Sequence, residues 1–429
     1  MSTYHFKYGS GAVDMSLPEG ERIQLLQGQP QPAIGDIRAA LCDALERPVA
    51  AAALSDFLCP GDAVTLIVSD MSRFWMRQDL VIPHVVNYLI DRCGISPENL
   101  VILVANGTHI GGDESELRTL VTDAVYDAIS VVNHDCLCCD LVHIGTTTRG
   151  TEVIVNPLAV GRKVVALGAA TQHVMAGYGG GRKSILPGIA AMRSVQQNHA
   201  LSLDPNAPQS NPAIGNAILS GNPLHEDMCE AASMVEHLFV INLVMNTDMA
   251  LAHIVAGHWH DSWIDACKAV AAMYELPVDE MADVVITSCG GYPKDMSLYQ
   301  ATKTIDNVES GLRPGGTLVL LAECREGGGP AEYFDWLDSL AAGTLDADLR
   351  ENFTIPGYIF YLNCEQARRY RILMLTSANK DQLVRMGIDA YGDIRSLLAA
   401  LDLSGALTYV IPNGSTVIPK PPRTGGSSA

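Results

Sequence analysis

The chain has 429 residues, too many for one ordinary core, so two domains of roughly 150 to 250 residues are expected, with the site in a cleft between them. Hydrophobic residues make up 48% and charged residues 18%, but no run approaches the roughly 20 apolar residues of a spanning helix, which excludes that kind of membrane protein. A formal charge of -20 without a long Lys/Arg run argues against a nucleic acid partner and for a small-molecule substrate.

The start, MSTYHFKYGSGA, lacks the succession of charged, apolar and small residues of a signal peptide, so the cytoplasm is the expected location. Eleven cysteines, odd in number and scattered through apolar segments such as those of Cys59, Cys267 and Cys289, read as reduced thiols rather than a disulfide framework.

In chain order, strands are predicted at VTLIVSD (ending at Asp70), LVILVANG (ending at Gly107) and ISVVNHD (ending at Asp135). Helical spacing lies between the first two, in LVIPHVVNYLIDRC, and ESELRTLV after the second has acidic residues in its first turn. Strands with crossover helices give a parallel sheet. Further strands are expected at VHIGTT, EVIVN, KVVALGAA and HLFVINLVMN, with a helix leading to His199 and another over residues 262–274. A second series begins at ADVVITSCGG and continues through TLVLLAEC, a helix over 334–340, RILMLTS and IRSLLAAL. The predicted class is therefore α/β, with two α/β domains and an interdomain active-site cleft. The expected domains are 1–275 and 276–403, with a terminal strand in 404–420 open to either and a linker-like tail at 421–429.

The segment 171–188, TQHVMAGYGGGRKSILPG, carries the most chemistry, together with QNHA ending at Ala200. Glycines 177, 179, 180 and 181 bare the backbone just before Lys183 and Ser184, where amides could approach a phosphate. A P-loop needs glycine directly before the lysine, and Arg182 occupies that place. Two other clusters, His134/Cys136/Cys138/Cys139/His143 and His258/His260, lack the ordered ligand pairs of a zinc site. Free cysteines and partly buried surface histidines are the preferred reading of both. Asp70, at the end of a predicted strand, orients Arg73 or a substrate hydroxyl, or else caps a helix.

With SDMSR at 69–73, ANGTH at 105–109, GNPLHEDM at 221–228 and GGYPKDMSLYQATK at 290–303, the segment resembles the nickel-pincer-dependent lactate racemase family over nearly the whole chain. The resemblance implies a 2-hydroxy acid racemase or epimerase. Its cofactor would be the nickel-pincer nucleotide (nickel pyridinium-3,5-bisthiocarboxylic acid mononucleotide), joined to Lys183, with Gly179, Gly180 and Ser184 beside it and His199 binding nickel. His109 and His173 match the family's acid and base. Asp70, Arg73, Gln300 and Lys303 match or adjoin its substrate-binding positions, and Gln300 and Lys303, three apart on a predicted helix, can share a face.

This set suits the implied chemistry. Removing the poorly acidic carbinol hydrogen as hydride, while a base takes the hydroxyl proton, avoids a carbanion and gives a 2-keto acid. Return to the other face inverts the centre, so an acid or base is needed on each side, and imidazole, with a pKa of about 6.5, fits both tasks and also binds nickel. The resemblance further implies cofactor-assembly enzymes as partners, and a homo-oligomer is compatible with it. Phe74, Trp75 and Ile110 depart from the family pattern, leaving lactate, malate, an aryl lactate and an aldonate as substrate classes. The alternative function is a non-catalytic nickel- or nucleotide-binding protein of the same fold, which would need Lys183 and His199 but not two opposed histidines.

Overall fold

The computed structural model describes residues 1–18 and 22–422. Of the expected tail, 423–429 lie outside the described residues.

The chain forms two compact units. The first comprises 30–201 and 213–273, and is built on a six-stranded sheet. From one edge to the other the strands are Leu251–His258, Leu238–Met245, Lys163–Ala169, Val64–Ser69, Leu100–Ala105 and Ser130–Asn133. Val64–Ser69 and Leu100–Ala105 are buried at every position but the last, because helices cover a parallel sheet and leave no polar face. The helix Ile82–Asp91, with Pro83 in its first turn, buries Ile82, Val85, Val86, Tyr88 and Leu89 in the same core as Leu66, Val68, Ile102 and Val104. All neighbours are parallel except Leu251–His258, which runs antiparallel to Leu238–Met245. VHIGTT and EVIVN, expected as strands, pair antiparallel with each other as a separate two-stranded sheet.

The second unit comprises 1–29, 202–212 and 274–429. Its sheet is ordered Ile388–Tyr391, Arg371–Leu375, Leu312–Leu321, Ala282–Ser288, Thr408–Ile411 and Ile23–Leu25, all parallel. The terminal strand, left open by the sequence, thus belongs here. The division differs from the expected continuous domain 1–275. An N-terminal hairpin, Ser2–Tyr8 against Gly11–Leu17, sends Phe6, Met15 and Leu17 into the core of Val284, Ile286, Val319 and Leu373. Segment 202–212 joins the same unit through hydrogen bonds such as Ser210 N–H to Glu365 Oε1, 3.0 Å.

Candidate active site

In the first unit, Val64–Ser69, Leu100–Ala105 and Ser130–Asn133 step outward in chain order, and Lys163–Ala169 then returns to the other side of Val64–Ser69. Open parallel sheets bind ligands past the carboxyl ends of the strands where this order reverses. The loops leaving those strand ends carry Asp70 and Arg73, His109, and the segment from Thr171 to Ser184. The Gly107 N–H donates to the Gly188 carbonyl at 2.9 Å, tying the second loop to the third.

Asp70 Oδ2 stands 2.5 Å from His109 Nδ1, and its other oxygen accepts from Ser72 Oγ at 2.6 Å. Arg73 Nη1 donates to Ser72 Oγ at 3.3 Å. The Asp70 side chain makes no helix-capping bond, so capping does not explain it. Burial pushes its carboxyl pKa up, but the His109 and Ser72 hydrogen bonds and the charges of His109 and Arg73 outweigh burial and hold it below the usual range. An ionised Asp70 accepts the Nδ1 proton and leaves Nε2 as the basic nitrogen of His109.

His173 is set the other way. Its Nδ1 accepts from the backbone N–H groups of Met175 and Ala176, both at 3.2 Å, which places the proton of the neutral ring on Nε2. That nitrogen lies 3.1 Å from Lys183 Nζ. His199, 4% exposed on the helix Met192–Ala200, donates from Nδ1 to the Val195 carbonyl at 2.9 Å. Burial, aided by the charge of Lys183, brings its pKa down to about 3, so the ring is neutral with Nε2 as its lone-pair nitrogen. This is the arrangement a metal-ligating histidine needs. Among the described residues no group of three or more His, Cys, Asp or Glu could hold a metal by itself, and all eleven cysteines are free thiols.

Arg182, which breaks the P-loop pattern, proves to be the anchor of the loop. It is 0% exposed and donates to His225 Nδ1 (3.0 Å), the Tyr178 carbonyl (2.9 Å) and the Ala176 carbonyl (2.6 Å). Its guanidinium lies 3.8 Å from the Trp263 ring centroid, a cation–π contact made in a desolvated setting. Trp263 Nε1 in turn donates to the Gly179 carbonyl at 2.7 Å. Sequence reasoning assigned no role to Arg182, His225 or Trp263, which are distant in the chain and meet only here. The glycines are needed for shape. Gly180 has φ +73 and Gly181 φ +52, and a Cβ on Gly181 would stand 2.5 Å from the Trp263 ring. Gly181→Ala should therefore lower stability by about 1 to 3 kcal/mol, read as a fall in urea midpoint; an unchanged midpoint would contradict the packing described. Lys183 and Ser184 close a 3-10 turn, Gly181–Ser184.

Gln300 and Lys303 lie in the second unit, on the consecutive short helices Leu298–Ala301 and Lys303–Val308. Lys303 Nζ donates to Gln300 Oε1 at 3.1 Å and sits 4.1 Å from the Tyr299 ring centroid. Of the residues departing from the family pattern, Phe74 and Trp75 pack partly buried against the first core and Ile110 is 97% exposed.

Residues 8–210 match the family model of the lactate racemase N-terminal domain and 278–418 that of the lactate racemase C-terminal domain. The lactate racemase of Thermoanaerobacterium thermosaccharolyticum is 30% identical over 344 residues, 78% of each chain, and that of Lactiplantibacillus plantarum 29% identical over 300 residues, 68% of each. The solved structure of the lactate racemase apoprotein from T. thermosaccharolyticum superposes with a TM-score of 0.87 at 26% identity, covering 98% of this chain and 100% of that one. The chain with Asp70–His109 and His173–Lys183 at its sheet edge belongs to the lactate racemase family.

Proposed function

We propose that the protein is a nickel-pincer-dependent racemase or epimerase of a 2-hydroxy acid. The observation that carries this reading is the opposed setting of two histidines at one sheet edge: His109 offers a basic Nε2, and His173 a protonated one. A non-catalytic carrier has no use for the Asp70–His109 pair.

Lys183, with Gly179, Gly180 and Ser184 around it, would hold the nickel-pincer nucleotide, and His199 would be the protein's ligand to its nickel. Once Lys183 gives up its proton to become the amine that acylation requires, its Nζ can accept from His173 Nε2–H, 3.1 Å away. When bound, the cofactor supplies a reversible acceptor for the C2 hydrogen as hydride. His109 takes the hydroxyl proton of one enantiomer through Nε2, and Asp70 stabilises the imidazolium that results. To deliver a proton to the oxygen when the centre re-forms with opposite hand, His173 acts as the imidazolium, so its Nδ1 must first leave the backbone donors Met175 and Ala176 and take up a proton. In the reverse direction the two histidines exchange tasks. Arg73, Gln300 and Lys303 bind and orient the substrate carboxylate and hydroxyl, and Phe74, Trp75 and Ile110 bias the side chain accepted.

The deciding experiment is production alongside cofactor-assembly enzymes, followed by intact mass, nickel content and chiral chromatography of single-enantiomer hydroxy acids. An adduct with nickel and inversion of at least one acid supports the reading; full activity in adduct-free, metal-free protein overturns it. Arg73→Ala and Lys303→Ala should each lower kcat/KM by roughly one to two decades, the loss of a charge-assisted contact. Unchanged kinetics in either would remove that residue from the binding set.

A further inference from the structure

The second unit has its own reversal of strand order. Ala282–Ser288, Leu312–Leu321, Arg371–Leu375 and Ile388–Tyr391 step outward in sequence, whereas Thr408–Ile411 returns to the other side of Ala282–Ser288. By the rule that placed the first site, a ligand crevice is expected past the carboxyl ends of Ala282–Ser288 and Thr408–Ile411. The loops that leave those ends, 289–297 and 412–417, carry Lys294 on one and Asn413, Gly414 and Ser415 on the other.

These side chains meet. Lys294 Nζ donates to Ser415 Oγ at 2.8 Å, and Ser415 Oγ donates to Asn413 Oδ1 at 2.9 Å. Asn413 lies against Gly290, whose φ is +95 and whose Cβ, if present, would stand 2.8 Å from Asn413 Oδ1; the two loops can close on each other only over a glycine.

Lys294 has no carboxylate partner among the described residues. Its chain neighbour Asp295 is turned elsewhere: Oδ2 accepts from the N–H groups of Gly9 (2.7 Å) and Glu323 (3.2 Å), and Oδ1 is buried without a donor among the described residues. The charged and titratable groups that Lys294 senses are Cys289 and a second cation, Lys7. Cys289 is a neutral thiol, pushed up to about 12, chiefly by burial. Burial draws the Lys294 ammonium down to about 8, and Lys7 acts in the same direction; Cys289 opposes this only as a thiolate. A half-buried cation with one neutral acceptor and no counterion is costly unless an anion completes it.

We propose that loops 289–297 and 412–417 form a binding site for a small oxyanion, a carboxylate or phosphate group, with Lys294 as its cation and Ser415 and Asn413 as its neutral hydrogen-bonding groups. A lysine that only tied the loops together would affect stability without affecting anion binding.

The test uses the full-length protein and needs no cofactor, so it stands apart from the racemase reading. Lysines are acetylated with acetic anhydride at constant ionic strength in chloride and quantified by peptide mass spectrometry, with inorganic phosphate, malate or lactate added. Phosphate or malate should slow acetylation of Lys294 severalfold and leave the exposed Lys268 unaffected. Protection by phosphate assigns a free oxyanion; protection by malate but by neither phosphate nor lactate assigns the second carboxylate of a hydroxy acid. Calorimetric affinity for the protecting anion should fall roughly ten- to a hundredfold in Lys294→Met. Ser415→Ala, which keeps the cation, should weaken it less and serves should Lys294→Met fail to fold. Indifference of Lys294 to all three anions overturns the proposal, as does full affinity in a folded Lys294→Met.

Discussion

Lys183→Ala, made alongside the cofactor-assembly enzymes, is expected to carry no mass adduct and to racemise nothing above background. The lysine is half-buried in the turn Gly181–Ser184, with Nζ 3.1 Å from His173 Nε2. The neighbouring Arg182 holds that turn through its own three acceptors and Trp263. Truncation at 183 would therefore remove the proposed attachment point without removing what shapes the loop, and the thermal midpoint should stay near that of the parent. Intact mass spectrometry decides the matter directly: an adduct persisting on the variant would reject the assignment. His199→Ala should differ in kind, retaining the adduct but losing nickel on gel filtration, since on the proposed reading His199 would offer the metal one lone-pair nitrogen and no attachment chemistry.

His109→Ala should cost roughly two to four decades in kcat/KM, the usual weight of a positioned general base. The loss must be the same for both enantiomers, because their equilibrium constant is one and the two values of kcat/KM are bound to be equal. Asp70→Asn should produce part of that loss. The amide can still accept from Nδ1, but it supplies no charge to the imidazolium formed when His109 takes the hydroxyl proton. His173→Ala should match His109→Ala in kcat/KM while differing in how the loss divides between kcat and KM, because only His173 must release two backbone donors to change its proton. Substrate deuterated on the carbinol carbon should return much of its label in the product of a first turnover. Complete washout would leave the histidines as bases of a carbanion route and would end the hydride reading. Wild-type rates in His109→Ala would remove that residue from the reaction.

Much of this architecture can be read from local pattern. VTLIVSD, LVILVANG and KVVALGAA are continuous apolar runs because both faces of a central parallel strand are covered, and each lies where its strand forms. The helix over 262–274 is found at Asp261–Tyr274, where no proline or glycine interrupts it. The glycine-rich segment, Lys183 and the histidines are visible as residue types at set spacings.

What local pattern could not supply is anything that depends on which distant segments meet. The first 29 residues fill the second core through Phe6, Met15 and Leu17, although their own alternation is short and carries no mark of its partner. Thr408–Ile411 took its place beside Ala282–Ser288 because a strand's neighbour is fixed by sheet packing, not by its composition. Local spacing offers Asp70 the neighbouring Arg73, a substrate hydroxyl or a helix cap; its carboxylate meets His109, 39 positions on, since parallel neighbouring strands bring their carboxyl ends to one edge. Likewise the meanings of Arg182, His225 and Trp263, and of Lys294 with Ser415, reside in contacts between loops. The sequence by itself determined which chemical groups the protein possesses and where the central strands and the helix Asp261–Tyr274 lie, because those follow from side-chain type and from apolar runs and periods of 3.6 residues. The tertiary structure alone decided their tautomers, burial and pairing, because these depend on the groups that long-range packing brings within hydrogen-bonding distance.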